Sequence, residues 1–227
     1  DPVPYSVGRD NLITALLLAC FVFGAIALSK SRGFMSRQAR RFFRASRDDA
    51  GALTETSSEL RFQFFLMMQT CLLLSLVTFF YIQTYVTDTF VVDQSVVIGA
   101  FFAIFVTYVM LKMLLQWLCG IVFFSRRRNE SWMKSLLFIM SIEGLCLLPV
   151  VLLHAYFGFS VGNTLLSVSV VVIFSKILSF YKIYNIFFRR REAILQFFLY
   201  FCALEIMPVF ALLGILGMAG DYLKVNF

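Results

Sequence analysis

The sequence predicts an all-α protein that crosses a membrane six times, and three observations lead to that class. Six long apolar runs divide the 227 residues. Hydrophobic residues make up 60% of the chain and charged ones only 15%, where a soluble domain carries about 25% charged. Sixteen of the twenty Lys and Arg fall in alternate connections between the runs. The mean hydropathy of +0.85 agrees. No connection is long enough for a separate soluble domain, so residues 1–227 read as one membrane domain.

The expected spans are 11–29, 62–85, 96–124, 132–157, 164–188 and 193–218. Each meets or approaches the ~20 apolar residues needed to cross ~30 Å of hydrocarbon. Backbone groups in lipid must satisfy one another, and the runs lack the alternation of a membrane barrel, so the spans are helices. Asp10 reads as the cap of the first helix and Asn163 as that of the fifth. Thr56 and Glu59 form a capping box ahead of the second, which then begins before the bilayer. The chain begins at Asp1 rather than Met, which leaves room for upstream residues, a signal sequence among them.

Charge sets the orientation. Lys30, Arg32, Arg37, Arg40, Arg41, Arg44, Arg47 and Arg61 lie between the first two spans. Arg126, Arg127, Arg128 and Lys134 join the third to the fourth, and Lys182, Arg189, Arg190 and Arg191 the fifth to the sixth. The opposite side has only Arg9 and Lys224. The positive-inside rule puts the sixteen in the cytoplasm and both termini in the periplasm. The net charge of +7 is then topological, and no nucleic acid need be invoked.

Residues 34–47 predict a separate amphipathic helix on the cytoplasmic face. At 100° per residue, Met35, Ala39, Phe42 and Phe43 share one side, with Arg37, Arg40, Arg41, Arg44 and Arg47 opposite. The five arginines are candidate contacts to anionic lipid, whether as plain anchoring or for a particular lipid or partner. An ordinary basic stop-transfer loop is the alternative.

Spans three and four resemble spans five and six. A mid-span Lys (112, 176), an apolar run ending Phe-Phe, an arginine triplet, a mid-span Glu (143, 205) and a Pro (149, 208) recur in order. Two spans per unit make a parallel repeat of helical hairpins. The first two spans form a degenerate third hairpin, with Gln69 in the polar role.

Lys112, Glu143, Lys176 and Glu205 are the candidate site. Each lies 11 or 12 residues inside its span, about 16 to 18 Å deep. An unpaired charge there costs roughly 2.5–3.5 kcal/mol, so two of each sign are expected to pair within the bundle. Which Lys meets which Glu is open. Gln116 follows Lys112 by four residues and Ser179 follows Lys176 by three, giving each Lys a polar neighbour on its own face. Pro149 and Pro208 free the carbonyls of Leu145 and Leu204 and predict kinks. The charges either bind a solute or relay a proton, or pair permanently and fix helix register.

Other residues take structural readings. His154 is a lone interfacial His, and Lys182 is near enough to the cytoplasmic end to snorkel. Cys20, Cys71, Cys119, Cys146 and Cys202 all lie in apolar runs, with no zinc or disulfide spacing. The Asn129-Glu130-Ser131 sequon is placed in the cytoplasm and set aside. No zinc-protease, nucleophile-elbow or phosphate-loop motif occurs, so no catalytic set, cofactor or metal site is expected.

Residues 197–208, Phe-Phe-Leu-Tyr-Phe-Cys-Ala-Leu-Glu-Ile-Met-Pro, and the Leu28–Arg32 exit of the first span resemble a family of uncharacterised Bacteroidota inner-membrane proteins, a domain of unknown function like DUF4271. Leu204–Pro208 is the most specific part. The resemblance covers nearly the whole chain. It implies a bacterial inner membrane and carries no established activity or catalytic residues.

The expected function is non-enzymatic: an accessory or scaffold subunit of an envelope or secretion complex, contacting other membrane or envelope proteins. The alternative is a small oligomeric transporter or channel whose midplane Lys and Glu line a polar path.

Overall fold

The computed structural model describes residues 11–43, 57–85, 93–123, 126–187 and 194–225. Its helices are α1 (Asn11–Phe43), α2 (Ser57–Tyr85), α3 (Gln94–Phe123), α4 (Arg126–Phe157), α5 (Val161–Phe187), α6 (Ile194–Phe201) and α7 (Met207–Val225). A π-helical turn, Cys202–Ile206, joins α6 to α7, so these three pieces form the sixth span. No strand occurs among the described residues. Six stretches are long and apolar enough to cross a membrane: Asn11–Lys30, Arg61–Tyr85, Gln94–Phe123, Arg128–Phe157, Val161–Ile186 and Phe198–Tyr222. All six expected spans are present. The largest difference at an end is α1, which runs to Phe43 rather than 29, and α4 begins six residues early because Arg126–Ser131 continues the helix past the apolar stretch.

The second helix is the hub. About 67% of its apolar stretch is buried, against 22% for α5 and 28% for the first and last spans. It packs on α1, α3, α4 and α5, while the sixth span packs mainly on α3 and α5. Leu73, Leu76 and Phe79 of α2 meet Phe101 of α3 and Leu147 and Val151 of α4 in one cluster. Two helices without bulk between them approach closely at Gly144, where an added Cβ would run into Thr70 Oγ1. The Thr70 hydroxyl is shared between its own Leu66 carbonyl (2.8 Å) and, across the interface, that of Met140 (3.0 Å).

The amphipathic segment after the first span is not a separate helix, contrary to the sequence expectation. Residues 34–43 continue α1 without a break, and 44–47 lie outside the described residues. The reason is packing. Met35, Ala39 and Phe42 cover Phe138, Ile139 and Ile142 of α4, and Phe42 is 4% exposed. Gln63 Nε2 of α2 donates to Gln38 Oε1 at 2.6 Å. Between Gly24, against Leu148, and Phe42, against Phe138, α1 climbs about 27 Å while α4 climbs about 15 Å. This half of α1 therefore crosses its neighbours obliquely. Arg37 and Arg40 are on its exposed side, whereas the Arg41 side chain, Arg44 and Arg47 lie outside the described residues. Lys182 does not simply snorkel: its Nζ donates to the Phe42 carbonyl at 3.3 Å and sits 5.0 Å from that ring's centroid.

The caps differ in part from expectation. Ser160, not Asn163, caps α5: its Oγ accepts the Asn163 amide at 3.3 Å and its carbonyl the Thr164 amide. The expected caps at Asp10 and Thr56, and the Glu59 side chain, lie outside the described residues. Gly158, with φ +65°, ends α4 in the left-handed conformation that favours glycine. His154 holds this turn. Its Nδ1 lies 2.7 Å from the Phe159 carbonyl, so that nitrogen carries the proton and donates, and its ring packs tilted against Phe80 with centroids 4.7 Å apart. All five cysteines are free thiols, as expected.

Candidate functional site

The third span brings two polar groups to the bundle interior by helical spacing alone. Val97, Phe101, Phe105, Val109, Lys112, Gln116 and Gly120 form one buried stripe at intervals of three and four. Lys112 and Gln116 occupy stripe positions, so α3 cannot bury its apolar face without burying them. Asn129 at the start of α4 closes the C-terminal end of this stripe. It fits beside Gly120, where a Cβ would collide with it, and its Nδ2 donates to the Trp117 carbonyl at 3.2 Å.

The acid that meets them is Glu205. It lies inside the π turn, where the Met207 amide bonds to the Cys202 carbonyl five residues back. Pro208 follows at once and has no N–H to offer the Leu204 carbonyl, which favours a widened turn over regular helix. The kink expected at Pro208 is thus a local change of helix type one turn upstream. At Pro149 the fourth helix runs through without interruption.

Glu205 is 0% exposed and accepts from three donors. Lys112 Nζ is 2.8 Å from Oε2, Lys176 Nζ is 2.9 Å from the same oxygen, and Gln116 Nε2 is 2.6 Å from Oε1. Two spans distant in sequence, α3 and α5, are thereby tied to the sixth. The pairing differs from the two Lys–Glu pairs expected. Both lysines converge on one carboxylate, and Glu143 accepts instead from Ser175 Oγ at 2.9 Å. The repeat in sequence is therefore not a repeat in bonding: Glu143 stands in unbroken α-helix, whereas Glu205 stands in a π turn.

Lys112, Lys176 and Glu205, with Glu143 next to Lys176, carry two formal charges of each sign. Lys112 is 5% exposed, but Lys176 is 27% exposed. It opens onto a groove between α5 and the sixth span, with a cavity of about 410 Å³. Ser179 is buried one turn from Lys176 but is not a donor to Glu205. Ser175 was missed by sequence reasoning. Its signal is the buried stripe Thr164, Val168, Ser175, Ser179 and Ile183, which points one residue beside Lys176.

No cluster of three or more His, Cys, Asp or Glu suited to a metal is found among the described residues. The arrangement holds charge out of lipid and joins helices. Its acid accepts three of the roughly four hydrogen bonds a carboxylate can take.

The fold defines a polytopic α-helical membrane protein with a buried ion cluster near the middle of its spans. The chain belongs to the family described as a domain of unknown function (DUF4271), which matches residues 13–216. That match takes in all four charged positions and the whole of the π turn. No curated protein and no solved structure matches the chain.

Proposed function

We propose that this protein is a non-enzymatic accessory or scaffold subunit of an envelope or secretion complex in a bacterial inner membrane, with both termini periplasmic. The observation that carries this reading is the closure of the ion cluster. Glu205 is fully buried and takes three donors from two other helices, so its charge is used in holding the sixth span. The basic side of the bundle faces the cytoplasm on this reading and contacts anionic lipid through Arg37, Arg40, Arg41, Arg44 and Arg47.

The test is purification from native membranes in several mild detergents, followed by mass spectrometry. The reading expects one or more membrane proteins to co-purify at fixed stoichiometry. Recovery of this chain alone in every detergent would contradict it.

One observation favours the second reading, a small transporter or channel. Glu143 is only partly buried and takes a single donor, Ser175, beside Lys176. A midplane carboxylate held so lightly is suited to exchanging protons or ions. Under that reading Glu143→Gln abolishes cellular function while the protein remains folded. Under the scaffold reading it is silent.

A further inference from the structure

We propose that bound water occupies the interior of the bundle between Asn129 and Gln116, and that it connects the buried ion cluster to the aqueous phase at the end where α3 meets α4. The proposal goes beyond the subunit reading and does not depend on it.

The buried stripe of α3 leads inward from that end. Gly120 lies one turn from Gln116, and Asn129 fills the space that a Gly120 side chain would need. Asn129 is 3% exposed and Gln116 0%. The N–H side of each amide is committed. Asn129 Nδ2 donates to the Trp117 carbonyl at 3.2 Å, and Gln116 Nε2 to Glu205 Oε1 at 2.6 Å. The carbonyl sides are left over. Asn129 Oδ1 and Gln116 Oε1 are both buried, and no donor among the described residues reaches either. Turning the amides over does not help. It would set Asn129 Oδ1 against the Trp117 carbonyl and Gln116 Oε1 against the Glu205 carboxylate, oxygen facing oxygen.

A buried acceptor without a donor costs about 1–3 kcal/mol, so the occupant must bring donors to both oxygens. An anion offers only acceptors, and a lipid chain offers neither. A metal cation suits oxygen, but it would lie near the Lys112 ammonium, and Glu205, the acid that Gln116 touches, is already taken by Lys112, Lys176 and Gln116. Water has two N–H-like donors in its O–H groups, no charge and the right size. The levels of Gln116 and Gly120 on α3 differ by about 6 Å, the reach of about two hydrogen bonds in series. Ordered water buried in this way is a regular part of protein interiors, membrane proteins included. Bulk water is near. Gln116 is about 10 Å from the Phe123 end of α3, and Asn129 lies in the first turn of α4 beside the exposed Arg128 and Glu130. Gln116 is then the last polar step before Glu205.

The experiment is water-edited solid-state NMR on the isotope-labelled full chain in lipid bilayers. Ser141, also 0% exposed but bonded to the Leu137 carbonyl of its own helix, is the dry control. Magnetisation from water is expected to reach the Gln116 side-chain carbonyl several-fold faster than the Ser141 Cβ. In Asn129→Leu it should fall to the Ser141 rate, while the Glu205 carboxyl signal keeps its position. Transfer to Gln116 as slow as to Ser141 in the native chain would overturn the proposal, whatever the variant does. Fast transfer that survives Asn129→Leu would also overturn it, because water would then arrive by another route. If Asn129→Leu does not fold, exchange of the Gln116 side-chain N–H in heavy water takes its place. Exchange ahead of the Val109 backbone amide on the same stripe supports the path, and exchange no earlier than Val109 overturns it. None of these results bears on co-purification, so the subunit reading stands or falls separately.

Discussion

Lys112 Nζ and Glu205 Oε2 stand 2.8 Å apart, 5% and 0% exposed, although 93 positions separate the two residues in the chain. Neither side chain has a solvated alternative at this depth. The sixth span packs sparsely on its neighbours, so this contact and its companion from Lys176 fix its position.

The two lysines should be unequal to the glutamate. Lys112→Met leaves Lys176 and Glu205 as a neutral pair, with Gln116 still donating. Its cost should be about 1 kcal/mol, the usual size of one interhelical polar contact in a membrane. Unfolding in mild detergent, followed by tryptophan fluorescence, measures it. A loss much greater than this would mean that Lys112, not Glu205, is the centre of the cluster.

Gly144 should accept no side chain while Thr70 is present. Gly144→Ala puts a Cβ into Thr70 Oγ1 at the interface of α2 and α4, and should cost about 1–3 kcal/mol. Thr70→Ala added to it should recover part of the loss, because the Oγ1 clash is gone while the Leu66 carbonyl still crowds the methyl. Non-additivity in this double-mutant cycle is the readout, and simple additivity would show that the two residues do not touch.

Phe42→Ala should free the C-terminal half of α1. The ring is buried against Phe138 and held under Lys182. Losing about 3 kcal/mol of docking would raise the open population about a hundredfold. Trypsin cleavage after Arg37 and Arg40 in inside-out vesicles should accelerate accordingly. Unchanged cleavage would show that this half of α1 is held by something other than Phe42.

Reporter fusions should find both termini on the periplasmic side and the connections around Arg61, Arg126 and Arg191 in the cytoplasm. A cytoplasmic signal from either terminus would reverse the orientation drawn from charge.

Spans and depth are legible in the sequence because each rests on a local property, apolar length or helical rise. So is the interior placement of Lys112 and Gln116, which follows from their spacing within an apolar stripe. Partner choice is not legible. That Lys176 and Lys112 share Glu205 depends on how helices far apart in sequence are set against each other, and the internal repeat argues for the wrong answer by making Glu143 and Glu205 equivalent. The continuity of α1 is hidden for a related reason. The expected span ends at 29 and Gly33 follows, but glycine in a helix costs only about 1 kcal/mol, less than docking Phe42 returns. Pro208 signals a disturbed helix without revealing that the disturbance is a π turn around the acid.

The most direct measurement compares the unfolding free energy, in one mild detergent, of Glu205→Gln with that of the triple variant Lys112→Met, Lys176→Met, Glu205→Gln. Glu205→Gln leaves two buried ammonium groups without a carboxylate and should cost about 3–5 kcal/mol. The triple variant removes every charge of the cluster and should recover most of that loss. If Glu205→Gln is as stable as the native protein, or the triple variant is no more stable than Glu205→Gln alone, the ion cluster does not hold the sixth span in place.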